Sequence, residues 1–153
     1  MKLAEALVER RAAQDNIGEL NERLQRVLFI QEGERPAEDP AQLLGELHEV
    51  TQRLQSLIIM INRSNMQAQL ADGRSIMEAI AERDALQTRR GVLSTIIQSA
   101  GNPQFRTRGS EIKFVVTVDI ARLQREHDQL AKRYRELDTA IQAANWSNDL
   151  LEG

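Results

Sequence analysis

The sequence has no cysteine, which excludes disulfides, thiolate zinc sites and cysteine nucleophiles. Aromatic residues make up only 3% of it, so a core must be built from Leu, Ile, Val, Met and Ala. Proline occurs three times. A basic excess is missing too: the formal charge is −3 and the pI about 5.5, which argues against a dedicated nucleic-acid binder. No run approaches the ~18 apolar residues of a membrane span. The opening MKLAEALVERRAAQ alternates charged and apolar residues and has no signal-peptide core. A cytoplasmic, bacterial-type protein with no membrane and no nucleic-acid partner is expected.

What is present favours helix. The 153 residues suit one domain, spanning 1–153, with 41% hydrophobic and 28% charged side chains. Leu, Ala, Glu, Arg and Gln are abundant, and all are good helix formers. Apolar residues at Leu3, Leu7, Ile17, Leu20, Leu24, Val27 and Leu28 predict a first helix over about 2–31, stopped by Gly33 and Pro36. Asp39-Pro40 announces a second helix over about 40–65. Its residues Leu43, Leu47, Val50, Leu54, Leu57, Ile61 and Ser64 step alternately by four and three, a heptad seam that calls for a packed partner. Whether residues 66–71 continue that helix is left open. Ser75 with Glu78 forms a capping box for a third helix over about 75–99, ended by Gly101 and Pro103. A fourth, over about 118–146, repeats the heptad step through Ile120, Leu123, His127, Leu130, Tyr134, Leu137, Ile141 and Ala144. Between them, the turn signal Arg108-Gly109-Ser110 and the β-branched run that follows predict a small hairpin over about 105–116. It would pair Phe105–Thr107 with Ile112–Val116. The fold expected is an all-α antiparallel helical bundle with long, coiled-coil-like helices and that hairpin as an insertion.

Short connections make neighbouring helices antiparallel, and the rise of about 1.5 Å per residue then matches depths along them. On that basis Arg10, Gln14, Asn62, Arg63, Asn65, Asp72, Arg74, Arg83, Asp84, Tyr134, Asn145 and Trp146 converge on one bundle end. That end reads in three ways. It is a solvated terminus with a capped turn and one internal ion pair; or it holds a polar or anionic ligand through Arg63, Arg74 and Asn65; or it is a subunit contact in which a buried Asn fixes register.

Nothing in the chain spells out catalysis. No G-x-S-x-G, Walker A or G-x-G-x-x-G occurs. Neither His48 nor His127 has the Glu three residues earlier that a helical di-metal site uses, and Glu46-x-x-Glu49 has no matching acidic pair. Neither a metal nor a cofactor is expected, and no catalytic residue is assigned. His127 reads as a core histidine bonded to a neighbour. Trp146 reads as an apolar plug over the bundle end, with its indole N–H on a nearby acceptor. Arg106, Arg108 and Lys113 are only three charges in an acidic protein.

The segments MKLAEALVERR, EGERPAEDP, INRSN, LADGRS with AERD, TVDIARLQ and LDTAIQAANWSNDLLE resemble, in order and spacing, a bacterial family of small helical proteins often labelled septicolysin. The resemblance spans essentially the whole chain and implies the helical fold. The label implies a pore-forming lysin. A single Trp, no Cys and heptad helices without a basic amphipathic face point away from that. The function expected is that of a non-catalytic helical protein acting through self-association, a dimer or higher, or partner binding. A small polar- or anionic-ligand binder or enzyme at the polar end is the alternative, and a cytolysin the further one. Elongated bundles with surplus apolar face usually bury it between symmetric copies.

Overall fold

The computed structural model describes residues 1–102 and 113–153. It is all-helical, with α1 at Leu3–Arg26, α2 at Pro40–Gln67, α3 at Ile76–Ala100 and α4 at Ile120–Ser147. The chain forms two compact units. One comprises Met1–Gln69 with Gln142–Gly153, the other Leu70–Ile141.

In the first unit α1 and α2 run antiparallel. Arg23 near the end of α1 meets Glu38 and Glu46 at the start of α2, and Glu9 meets Arg53 further along. Between them Leu20, Val27 and Leu43 are buried, with Leu24, Leu47 and Val50 packed against them. Every position of the α2 seam is buried or half-buried, Leu57, Ile61 and Ser64 almost completely. Asp39 caps α2 as its sequence implies, its carboxylate accepting from the Ala41 N–H at 3.0 Å with Pro40 in the first turn. Helix α2 continues through Gln67, after which Ala68 is extended.

Helix α1 stops at Arg26, short of the expected 31. The four residues that follow, Val27 to Ile30, are β-branched, aromatic or Leu, and only Val27 finds a place in the core. Leu28, Phe29 and Ile30 are 61%, 87% and 51% exposed, so no packing offsets their weak helix propensity.

In the second unit α3 and α4 are also antiparallel. Arg83 pairs with Asp138, Glu82 with Arg133, and Arg89 with Glu126. Ser75 and Glu78 form the expected capping box: the Ser75 hydroxyl accepts from the Glu78 N–H at 3.1 Å, and the Glu78 carboxylate accepts from the Ser75 N–H at 2.9 Å. The α4 seam is half-buried from Ile120 to Tyr134 and buried at Leu137 and Ile141.

The hairpin needs correction where it can be followed. Phe105–Thr107 and Ile112 lie outside the described residues, and Lys113–Val116 form no strand. Phe114, Val115 and Val116 are 70%, 82% and 44% exposed. A β-branched run favours extended backbone, but a strand exists only where a ladder partner takes its N–H and C=O groups. An isolated antiparallel bridge joins Lys2 to Asp149.

Candidate functional site

The polar residues singled out in the sequence fall into both units. Asp72, Arg74, Arg83, Asp84 and Tyr134 belong to the second. There LADGRS folds as a tight turn: the Gly73 N–H donates to Leu70 O at 3.0 Å and the Leu70 N–H to Arg74 O at 2.8 Å. Gly73 takes a φ of +87°, a conformation that suits glycine. All three guanidinium nitrogens of Arg74 are engaged, Nε and Nη2 by Asp72 at 2.9 and 2.8 Å and Nη1 by Glu82. Glu82 also accepts from Arg133 of α4 at 3.0 and 3.2 Å. The result is a four-member chain of charge, Asp72–Arg74–Glu82–Arg133, that ties the turn to α3 and α4. Hydrogen bonds from Arg74 hold the Asp72 carboxyl below its ordinary range, first from the side chain and then from the backbone N–H. Arg133, then Arg74, do the same for Glu82, and the Arg74 guanidinium is raised by Asp72 and Glu82.

Arg83 is the most enclosed of these, with 23% of its side chain exposed. Burial is the largest influence on it and disfavours its charge. Hydrogen bonds to Asp138 at 2.9 Å and to Asp84 at 3.4 Å outweigh that, and its pKa rises. Tyr134 is half-buried beneath the guanidinium of Arg90, 5.0 Å from the ring centre, a cation–π arrangement. His127 keeps 26% of its side chain exposed, 3.5 Å from the Asp128 carboxylate.

Arg10, Asn62, Arg63, Asn65, Asn145 and Trp146 belong to the first unit. Asn62 and Arg63 are exposed; Arg10 and Asn65 are half-buried. The two ends of the chain are stitched together here. The Leu3 N–H donates to Asn148 O at 3.1 Å, the Leu150 N–H to Met1 O at 2.9 Å, and Lys2 Nζ lies 2.8 Å from Asp149. Lys2 holds the Asp149 carboxyl below its usual range. Ser64, fully buried on α2, donates to Met60 O at 2.9 Å and accepts from the Leu151 N–H at 2.9 Å. That role was not anticipated, although the unbroken heptad step through Ser64 marked it as inward-facing.

Two features of this end stand out chemically. Asn145 is 4% exposed, and its carboxamide oxygen has no hydrogen-bond partner. Such an orphan is unusual in a packed interior. Trp146 is the reverse: it is 60% exposed and plugs nothing. It stands between two open grooves. One, of about 460 Å³, is lined by Ala4, Leu7, Val8 and Arg11 among others. The other, of about 570 Å³, is lined by Met1, Glu5, Val8 and Glu9. Among the described residues no three His, Asp or Glu side chains gather where they could hold a metal. Nor is any helix there long and apolar enough to cross a membrane.

Comparison with known proteins gives kinship. No curated protein matches the chain. A crystal structure of a functionally unknown conserved protein from Corynebacterium diphtheriae superimposes with a TM-score of 0.91 at 40% identity, over 99% of each chain. Neither comparison confirms the septicolysin label. A family of unknown function, DUF6847, matches residues 10–150, and the chain belongs to it.

Proposed function

We propose that this protein is a non-catalytic helical protein that acts by self-association, with the Trp146 face as the surface where copies meet. The observation that supports this is the exposure of the lone tryptophan, with Val8 66% and Met1 43% exposed beside it. Tryptophan is on average highly buried, and a contiguous apolar patch around an exposed one is typical of protein interaction surfaces. The rim carries both signs of charge, Arg11 and Asp15 with 77% and 57% of their side chains exposed, together with Glu5 and Glu9. Mixed rim charge suits a two-fold pair, in which the base of one copy can face the acid of the other. The same reading keeps the protein in the cytoplasm.

Because the chain has one tryptophan, its fluorescence reports on this face directly. As concentration rises, the emission should shift to the blue in step with growth of a sedimenting species of twice 17.4 kDa. Val8→Glu should leave a folded monomer with red-shifted emission. A wild-type chain that stays monomeric at high concentration, with unchanged emission, would overturn the proposal.

A second reading, a polar-ligand site in the first unit, is favoured by the orphan carboxamide oxygen of Asn145. It would draw on Arg10, Asn62, Arg63 and Asn65. Arg74 serves it poorly, since its nitrogens are already committed to carboxylates. A thermal-shift panel of polar and anionic compounds tests it, with a rise in melting temperature expected from a true ligand. Membrane lysis has no comparable support, and dye-loaded liposomes are expected to stay intact.

A further inference from the structure

A different feature of the second unit points to a ligand. A groove of about 480 Å³ opens between α3 and α4, lined by Arg89, Arg122, Arg125, Glu126, Gln129 and Leu130. Arg122, Arg125 and Gln129 follow one another at three and four residues, so they share one face of α4. Arg89 reaches in from α3 and pairs with Glu126. The lining therefore holds three guanidinium groups against one carboxylate, in a chain whose overall charge is −3.

The nearby acids are spoken for. Glu126 takes Arg89, while Asp128 faces Gln124 and His127. Asp119 is used at the start of α4, accepting from the Arg122 backbone N–H at 3.1 Å. Among the described residues neither Arg122 nor Arg125 has a carboxylate or hydrogen-bond acceptor for its guanidinium. Elsewhere in this unit Arg74, Arg83 and Arg133 are paired with carboxylates and Arg90 lies over Tyr134, while Arg135 is exposed to solvent outside the groove. Two adjacent unpaired guanidinium groups facing one cavity repel each other until an anion sits between them. The first turn of α4, which begins at Ile120, adds its partial positive charge. Guanidinium forks match phosphate oxygens in pairs, and a phosphate offers two such groups more acceptor oxygens and more charge than a carboxylate does. The volume suits a small molecule, and Leu130 offers an apolar surface for its body.

We propose that this groove binds the phosphate groups of a small organic phosphate, held by Arg122 and Arg125 with Arg89 beside them. The site shares no residue with the Trp146 face, so its test and that of self-association are independent. The probe is inorganic pyrophosphate, titrated into the isotopically labelled full chain, with ADP and a short single-stranded oligonucleotide as parallel arms. Amide shifts that saturate by about 10 mM and centre on residues 122–130 are expected, as a Kd of ~1 mM would give. Replacing both Arg122→Gln and Arg125→Gln should weaken binding at least about tenfold, since hydrogen bonds to charged groups are the strong ones. Arg135→Gln removes one exposed positive charge of α4 outside the groove and should change affinity less than about twofold. All three arginines lie at the surface, so these variants should fold. No saturable shift, an equal loss in Arg135→Gln, or retained binding in the double variant would each overturn the proposal. Binding of the oligonucleotide well above pyrophosphate, with a steep salt dependence, would overturn the small-molecule assignment in favour of nucleic acid.

Discussion

Ser64 gives the most demanding test of how the first unit is built. Its hydroxyl is fully buried and makes two bonds, one to Met60 O in its own helix and one from the Leu151 N–H, 87 residues away. In Ser64→Ala the Leu151 N–H loses its acceptor in a part-buried setting. An unsatisfied buried donor costs about 1–3 kcal/mol. Alanine returns a few tenths through its higher helix propensity, roughly 0.5 kcal/mol at most. The net expectation is a loss of about 1–2 kcal/mol. For a chain of this size that lowers the melting temperature by roughly 2–8 °C. Urea unfolding measures the loss, and hydrogen exchange at the Leu151 amide localises it, because that proton should lose protection while amides of α3 keep theirs. A double-mutant cycle sharpens the test. A chain ending at Leu150 lacks the donor, so Ser64→Ala should cost little in that background. If the single variant matches wild type in stability and Leu151 protection, the hydrogen bond contributes nothing and the reasoning fails.

The remaining predictions concern the turn and its charge chain. Glu82 and Asp72 have folded pKa values below their ordinary 4.5 and 3.8, so both are charged at neutral pH and favour the folded state there. That contribution is complete above the ordinary values and drains away as pH falls through the lowered ones. Melting temperature should therefore drop from about pH 4.5 downward, and Glu82→Gln should flatten part of that slope; an unchanged acid profile would remove Glu82 from the account. Gly73→Ala, at φ +87°, should destabilise by more than about 1 kcal/mol although nothing crowds the new methyl, and Gly73→Asn should cost less. Equal stability of the alanine variant in thermal unfolding would show that the turn relaxes without strain.

Much of the helical order was legible because it depends on neighbours in sequence. Asp39-Pro40 and Ser75 with Glu78 act within one turn, and both caps stand where local chemistry puts them. The four-three steps of α2 and α4 mark inward faces whatever lies opposite, and those positions are indeed turned from solvent. What escaped is what depends on distance. The apolar letters of Leu28 to Ile30 suggested a longer α1, but they have no neighbour to pack on and the helix ends without them. The run at 113–116 has strand propensity and no ladder. Arg74 looked free for an anion because its partner Glu82 lies eight residues on, across a helix start. Trp146 looked like a plug from its chemistry alone; whether it is covered is a property of surfaces that sequence spacing does not encode. The polar class of Asn145 was plain, but its nearly complete burial was not.

The joining of the two chain ends has a consequence for the order of assembly during translation. Residues 70–141 can leave the ribosome and fold with every member of their unit already made. The other unit is different: α1 and α2 precede residues 70–141, yet the Asn148 carbonyl that accepts from Leu3, the Leu150 N–H that donates to Met1 and the Leu151 N–H that donates to Ser64 all come from residues 142–153. The unit begun before residues 70–141 is thus completed only after them. Until then its apolar seam waits for a cover that residues 142–153, or another molecule in the meantime, can supply.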